Sequence, residues 1–584
     1  MTRELRPSLE HGLYILVFCL ALSLRFANLG AAPLTEAEAQ RALAAHQIAV
    51  GEPATGSGVE PAYLALTAAT FTLLGSNEFL ARFWPALFGS LLVLFPYFIS
   101  GVLGRKPAIL FALALAVDPA LVALSRQASG MLLGLGLAAL ALLAWSRSRW
   151  TLAGVLAAFT LLSGPGIVFA ALALLLGWGV LAKTLGSAPV RAFVKGLNAR
   201  KISSEGRRAF MLSGLAALFL LSTLFLRVPQ ALAGLGGSLS GLLAGSFISS
   251  GETTLGLLLR LLAYGLLPVL FGLVGLWRSW HDGYGFGTAL GWLTFAGLLL
   301  VMIFPGAGTS NLIWVLIPMW ALAAMEFARI LRLPTEEPLA ALGELALLSL
   351  LFLFGALTLA ELTTLDPTLQ QFRVNVLILG ILALLALASV ILIALGWSRQ
   401  AAWRGFSWAI GLFLLVGLLA VSFRLAGRQP SAADLWSEGP AAGQTALLLS
   451  TLEDLSARAI GEDRALDVVL ETDSAALAWT LRAWPKLHSI EQATGLTQPA
   501  AIISAEAGEQ PARASAYRGQ SFVLAQQPDW GRGWPPDLLK WLLFRETPVR
   551  SETVILWLRS DLFPDGGDAE AVNENNETDG STSP

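Results

Sequence analysis

Apolar runs of bilayer length, repeated from near the start of the chain to residue 424, leave few folds open to it. A spanning helix needs about 20 mostly apolar residues. Such runs lie near 12–28, 83–103, 107–124, 130–146, 150–163, 165–182, 209–227, 255–277, 285–304, 311–330, 338–360, 374–396 and 405–424. That makes about thirteen, with short pieces on either side of Gly164 and Pro165. Of the 584 residues, 55% are hydrophobic and 13% charged, whereas soluble domains carry roughly a quarter charged residues. Mean hydropathy is +0.67. The expected fold class is therefore an α-helical polytopic membrane protein with about 13 transmembrane helices. The first run lacks a small-residue cleavage site and is followed by many further runs, so it reads as a retained helix.

Basic residues orient the chain, because short loops rich in Lys and Arg stay in the cytoplasm. Arg3 and Arg6 precede the first run, Arg105 and Lys106 follow the second, and Arg147 and Arg149 follow the fourth. One long loop holds Lys183, Arg191, Lys195, Arg200, Lys201, Arg207 and Arg208, and further loops carry Arg278, Arg329, Arg332, Arg399 and Arg404. An odd number of spans puts all of these on one side. The N-terminus is then cytoplasmic in a multi-pass plasma-membrane protein. Three parts face outward: a first loop over 30–82, a Gly/Ser-rich stretch over 228–254 with Glu252, and everything after Arg424. The net charge of −2 averages segregated charges and decides nothing. The basic loop reads as a positive-inside loop, and no stripe of basic and aromatic residues points to nucleic acid. The single Cys19 excludes an internal disulfide and a thiolate metal cluster.

The runs predict a membrane domain over 1–424, and from residue 429 the composition turns globular. GQTALLLSTLEDLSARAI has helical periodicity, ALDVVLET reads as a strand and SAALAWTLRAW as a helix. KLHSI, AAIISA and QSFVLAQ are short strands, PPDLLKWLLF is a helix opened by prolines, and ETVILWLR is a last strand. Alternating strands and helices predict a small extracytoplasmic α/β domain over 429–564. Residues 565–584 are acidic and lack aromatics, which predicts a disordered tail; Asn576-Glu577-Thr578 in it matches a glycosylation sequon. Trp479, Trp484, Trp530, Trp534, Trp541 and Trp557 read as core or headgroup-zone packing, with sugar stacking as the alternative. Asp473, Arg482, His488 and Asp529 have no catalytic spacing.

Titratable groups are scarce before residue 425 except in the first outer loop, where Glu36, Glu38, Arg41, His46, Glu60, Glu78 and Arg82 gather. A helix starting near Thr35 pairs Thr35 with Glu38 as a capping box and sets Glu36 at the positive end of the dipole. A carboxylate at the membrane face also serves as a general base on a hydroxyl or amine. It equally holds a divalent cation against a phosphate or diphosphate donor. Glu36 and Glu38 are the residues for either role, and no other cofactor is expected. PAYLALTAATFTLLG is too short to span and reads as an interfacial helix. Arg82, and Arg126 in DPALVALSRQASG, stand at the outer ends of their segments, where a guanidinium fork matches phosphate oxygens or snorkels toward headgroups.

The order LRFANLG, PLTEAEAQRALAA, PAYLALTAATFTLLGSNEFLARFWPALFGSLLVLFPYFI and DPALVALSR resembles the GT-C class of membrane glycosyltransferases that use lipid-linked sugars. The nearest group is glycosyltransferase family 39, with the protein O-mannosyltransferases and the aminoarabinose transferases of lipid A. LAWTLRAWP and LLKWLLFRETPVRSETVILWLR resemble a flippase-associated branch. The resemblance covers about residues 10–180 closely and the rest by architecture. It implies a GT-C-like fold, a polyprenyl-phosphate sugar donor, an extracytoplasmic active site and an acidic residue in the first outer loop. That acid is usually the Asp of an Asp-Glu pair; here Glu38-Ala39 matches the Glu-Ala, Ala37 takes the Asp position, and Glu36 is the nearest carboxylate. The family's Pro step before the interfacial helix appears as Glu60-Pro61. Its acid in the second outer loop falls near Gly130, and its basic residue before the tenth span has no counterpart in GAGTSNLIWVLIP.

The function implied is inverting transfer of a hexosyl or pentosyl group from a polyprenyl-phosphate donor to an extracytoplasmic glycan, lipid or protein. Glu36 and Glu38 are the catalytic candidates, Arg82, Arg126 and Arg41 hold the donor phosphate, and His46 and Glu60 are further first-loop candidates. The alternative is a degenerate homologue that binds polyprenyl lipids or assists flippase-linked assembly. A secondary transporter is a third class; it expects charges inside the bilayer, and Glu344 is the main acid within an apolar run.

Overall fold

The computed structural model describes residues 7–52, 60–184, 203–223, 253–304, 308–331, 337–427, 431–436, 439–489, 499–505, 517–530 and 535–563. The acidic tail over 565–584, Trp534 and the outer stretch 228–252 lie outside the described residues. The chain divides into two compact units. Met1–Ala32, Ala44–Glu438 and Asp529–Pro548 form a helical unit; Pro33–Leu43, Gly439–Pro528 and Val549–Pro584 form a sheet unit.

The helices follow the apolar runs. In chain order they are α1 (Pro7–Phe26), α2 (Glu36–Val50), α3 (Pro61–Leu74), α4 (Glu78–Leu92), α5 (Phe95–Phe98), α6 (Ser100–Leu103) and α7 (Arg105–Val117). Then come α8 (Pro119–Ser125), α9 (Gly130–Ser146), α10 (Trp150–Leu161), α11 (Pro165–Thr184) and α12 (Ser204–Ser222). The later ones are α13 (Thr254–His281), α14 (Gly285–Ile303), α15 (Ile313–Ile330), α16 (Pro338–Leu362), α17 (Gln370–Gly396) and α18 (Arg399–Gly427). A 3-10 turn, Thr309–Leu312, leads into α15.

The expected runs are helical over the described residues. Among the described residues, eight helices are long and apolar enough to cross a bilayer, or ten if two bent pairs each count as one. The α10 helix has only 12 residues and α9 has 17, short of the roughly 20 a span needs. The α12 helix carries Glu205, Arg207 and Arg208 within its length. The α3 helix, at 14 residues, is short as expected for a helix that does not span.

One of the bent pairs shows why the chain breaks where it does. The α7 and α8 helices meet at 54° across Asp118. Pro119 has no N–H to give and disfavours helix at the residue before it; Asp118 is extended and caps α8 by accepting from Leu121 N–H at 2.9 Å. The break leaves carbonyls open at the end of α7. The buried Arg25 of α1 donates to Leu115 O at 2.9 Å and Ala116 O at 3.0 Å, and Ser422 of α18 donates to Val117 O. Trp320 of α15 donates to the other Asp118 oxygen at 2.7 Å. Three further helices, α1, α15 and α18, are thus keyed to one interruption. Within the bilayer such groups have no water to turn to.

Glu344 is partnered on one oxygen: Ser389 of α17 donates to Oε1 at 2.8 Å, and Gly405 of α18 is packed so closely that a Cβ there would lie 2.5 Å from the Glu344 side chain. It knits the last three helices together, and so gives little support to a transporter.

The sheet unit holds α19 (Thr445–Ile460), α20 (Ala475–Thr480) and six strands: β1 (Ala441–Ala442), β2 (Val468–Leu470), β3 (Leu487–Ser489), β4 (Ala501–Ala505), β5 (Tyr517–Pro528) and β6 (Val549–Arg559). The strand order is β1-β5-β6-β4-β2-β3, parallel for β2 with β3 and β4, antiparallel elsewhere. Alternate residues Val554, Leu556 and Leu558 of β6 enter a core with Leu448 and Leu452 of α19 and Leu477 of α20, the period of two that a strand imposes. Trp479 and Trp484 are buried, and the Trp484 indole donates to Leu466 O at 2.7 Å. Both are core residues, so neither presents a face for sugar.

The expected boundaries shift in two places. Residues 33–43 of the first loop belong to the sheet unit, and 529–548, with helix α21 (Leu538–Phe544), belong to the helical unit.

Candidate functional site

In the sheet unit, the first turns of α2 carry Glu36, Glu38 and Arg41. The capping box forms as expected: Thr35 N–H donates to a Glu38 oxygen at 3.0 Å, and Glu38 N–H reaches Thr35 Oγ1 at 3.4 Å. Glu38 is buried and Arg41 half-buried. Glu36 has a different task. Its carboxylate accepts from Ser474 Oγ at 2.8 Å, from Ala475 N–H at 2.5 Å and from Ala476 N–H at 3.1 Å. These are the unpaired donors at the start of α20, and a carboxylate there also meets the positive end of the helix dipole. With three donors on it, Glu36 has a structural role. Its removal in Glu36→Ala is expected to cost about 0.5–2 kcal/mol, the range for a lost helix cap. Hydrogen exchange reads it directly, as faster exchange of the Ala475 and Ala476 amides.

In the helical unit the structure brings Arg82 and Arg126 together. Arg126 Nη1 donates to Leu24 O at 3.2 Å, Arg25 O at 3.1 Å and Ala27 O at 2.6 Å. Arg82 Nη1 donates to Leu29 O at 3.1 Å and Ala32 O at 2.8 Å. The Arg126 guanidinium wraps the carbonyl end of α1, where cations are favoured, and Arg82 holds the turn that follows it. They are close enough to repel: burial first, then the Arg82 charge, pushes Arg126 down to about 10, so it remains cationic at neutral pH. The Nε and Nη2 of Arg126 make no hydrogen bond among the described residues.

Glu60 caps a helix that is distant in sequence. Gly130 N–H, at the start of α9, donates to its Oε2 at 2.8 Å. A Cβ at Gly130 would sit 1.9 Å from Ser163 O and 3.3 Å from the Glu60 carboxylate. No side chain fits at 130, and Glu60, arriving from the residue before α3, brings a carboxylate to that point. His46 is half-buried on the last turns of α2. Among the described residues no three His, Cys, Asp or Glu side chains gather as a metal site.

Four charged residues escaped the sequence reading of the site: Arg25, Asp118, Arg260 and Arg545. The first two hold the α7–α8 break. Arg260 of α13 donates to Thr309, in the turn before α15. It supplies a cation to the GAGTSNLIWVLIP segment that has none of its own. A charge inside an apolar run was the available signal.

Two solved structures share this fold, both of ArnT from Cupriavidus metallidurans, one bound to undecaprenyl phosphate and one in the apo state. Each has a TM-score of 0.52 and 14% sequence identity, covering 95% of this chain and 98% of that chain. Also similar, at a TM-score of 0.41 and 11% identity, is the archaeal oligosaccharyltransferase AglB from Archaeoglobus fulgidus in complex with an inhibitory peptide and a dolichol-phosphate. That match covers 83% of this chain and 65% of that one. No family model matches the sequence. No curated protein matches it either. The chain is an α-helical membrane protein of the GT-C fold with a small C-terminal sheet domain.

Proposed function

We propose that this protein is a membrane glycosyltransferase that moves a sugar from a polyprenyl-phosphate carrier to an acceptor on the outer side of the membrane. The fold carries the reading: nearly the whole length of the chain matches ArnT, which was solved with undecaprenyl phosphate bound. The Lys- and Arg-rich loops support an extracytoplasmic reaction with a cytoplasmic N-terminus.

In the step proposed, an acceptor oxygen or nitrogen attacks the anomeric carbon from the face opposite the phosphate. The bond from that carbon to the phosphate oxygen breaks, its electron pair leaves on the carrier phosphate, and the configuration inverts. The acceptor proton passes to a carboxylate of the first loop, and Glu38 is assigned this role. Arg82 and Arg126 neutralise the charge that grows on the leaving phosphate, with Arg41 and Arg260 as further cations. Fixed cations at developing charge are a large source of rate. Glu60 keeps the start of α9 in place. A divalent cation held by Glu38 remains part of the proposal only as an aid to the phosphate.

Arg126→Ala tests the phosphate role. Loss of a charged hydrogen bond costs about 1.5–3 kcal/mol, so undecaprenyl phosphate is expected to bind roughly 10- to 100-fold more weakly by titration in detergent. Unchanged affinity removes Arg126 from the donor site.

A catalytically silent carrier-binding protein is the second reading, favoured by Ala37 at the usual Asp position and by the engagement of Glu36. It predicts carrier binding with no sugar released in wild type, whatever acceptor is offered.

A further inference from the structure

Beside α13, α16 and α18 lies an apolar groove of about 510 Å³, lined among others by Tyr264, Leu267, Ser349, Leu353 and Val416. Its polar end is Arg545, just after α21. Arg545 is 8% exposed, and its guanidinium stacks 4.2 Å from the Tyr264 ring centroid and 4.5 Å from that of Trp541. Only Nη2 has a protein acceptor, Ala263 O at 3.3 Å; Nε and Nη1, both buried, bond to nothing among the described residues. The nearby acid, Asp434, is already paired with Arg424. Arg545 also holds a left-handed backbone, φ 56°, which residues other than glycine rarely adopt. A buried cation with two idle donors is costly unless an anion meets it.

What surrounds it is lipid-like. The residues Leu538, Leu539, Leu542, Leu543 and Phe544 of α21 are exposed, the pattern of a helix lying at headgroup depth. The α16 helix, which forms one wall, is only 11% buried over its apolar window, and its neighbour α17 only 6%. Both present apolar side chains outward along the bilayer.

We infer that Arg545 and this groove bind an anionic phospholipid of the surrounding bilayer, with the phosphate on the guanidinium fork and one hydrocarbon chain along the groove. A planar fork with two idle N–H groups suits one phosphate. The rings of Tyr264 and Trp541 fix its plane in advance. The bilayer lipids that bathe α16 and α17 are the supply at hand.

The test is thermal unfolding of the purified full chain in an uncharged detergent, with phosphatidylglycerol or phosphatidylcholine added. Phosphatidylglycerol is expected to raise the wild-type Tm by several degrees and phosphatidylcholine to leave it unchanged, because only a ligand that favours the native state stabilises it. Arg545→Gln is expected to abolish the shift, and Ser349→Trp, which fills the groove but keeps Arg545, to reduce it. Equal shifts with the two lipids, or a phosphatidylglycerol shift that survives Arg545→Gln, overturn the site. If Arg545→Gln does not fold, Ser349→Trp decides, and an undiminished shift in it overturns the site. Displacement of phosphatidylglycerol by an equal mole fraction of undecaprenyl phosphate overturns the phospholipid assignment and gives the groove to the carrier.

Discussion

Glu38→Gln is expected to lower sugar transfer by about 10²- to 10⁴-fold, the usual contribution of a general base, while thermal unfolding stays where it is in wild type. The separation of the two effects comes from the cap. The box that Thr35 and Glu38 form needs an acceptor at the third helical position to take the Thr35 N–H, and Gln fills it as well as Glu. The charge, and with it the capacity to take a proton, is lost. Glu36→Gln is the companion variant: it weakens the hold on α20 and leaves most of the transfer rate. Transfer from a polyprenyl-phosphate sugar in proteoliposomes measures both. Full activity in Glu38→Gln removes Glu38 as the base, and full activity in the double variant Glu36→Gln, Glu38→Gln removes this loop from the chemistry altogether.

Gly130→Ala is expected to be among the most damaging single methyl groups that can be added to the chain. The new Cβ would stand 1.9 Å from Ser163 O, a backbone atom that cannot swing aside as a side-chain end can. Overpacking of a tight contact costs about 1–3 kcal/mol and occasionally more, and this contact is tight enough for the upper end. The same shift would draw Gly130 N–H away from Glu60 and leave a buried carboxylate short of a donor. A fall in Tm of several degrees in detergent is the readout. Gly343→Ala, in α16 with nothing within 4 Å of its Cβ, is the control and should be neutral or slightly stabilising. Comparable loss in the two variants would mean that the clash at 130 is absorbed.

Much of the architecture was legible because its signals are local. Bilayer-length apolar runs marked the helices, and strand patterning marked β2, β3, β4, β5 and β6 to within about three residues at each end. Thr35 and Glu38 stood three apart and formed the cap that spacing implies. Where a helix breaks within the membrane domain was less legible. Pro119 and Pro165 were visible, yet whether a proline kinks a span or ends it depends on what satisfies the freed carbonyls. Here Arg25 and Ser422, from two other helices, do so for α7.

The candidate site divides along the same line. The sequence by itself determined that charge is concentrated over 30–82, that Glu36, Glu38, Arg41 and Arg82 of that stretch and Arg126 beyond it are the candidates for chemistry, and that a domain of strands and helices follows the apolar runs. Composition, spacing and residue type carry that information along the chain. The tertiary structure alone decided which of those groups are already engaged. It gave Glu36 to the amides of α20, 438 and more residues away, joined Arg82 to Arg126 at the end of α1, and supplied Glu60 and Arg260 where the local sequence offered Gly130 and Thr309. A hydrogen bond is short-ranged and indifferent to sequence separation, so the partner of a buried charge is set by packing, and no pattern in the neighbouring residues records it.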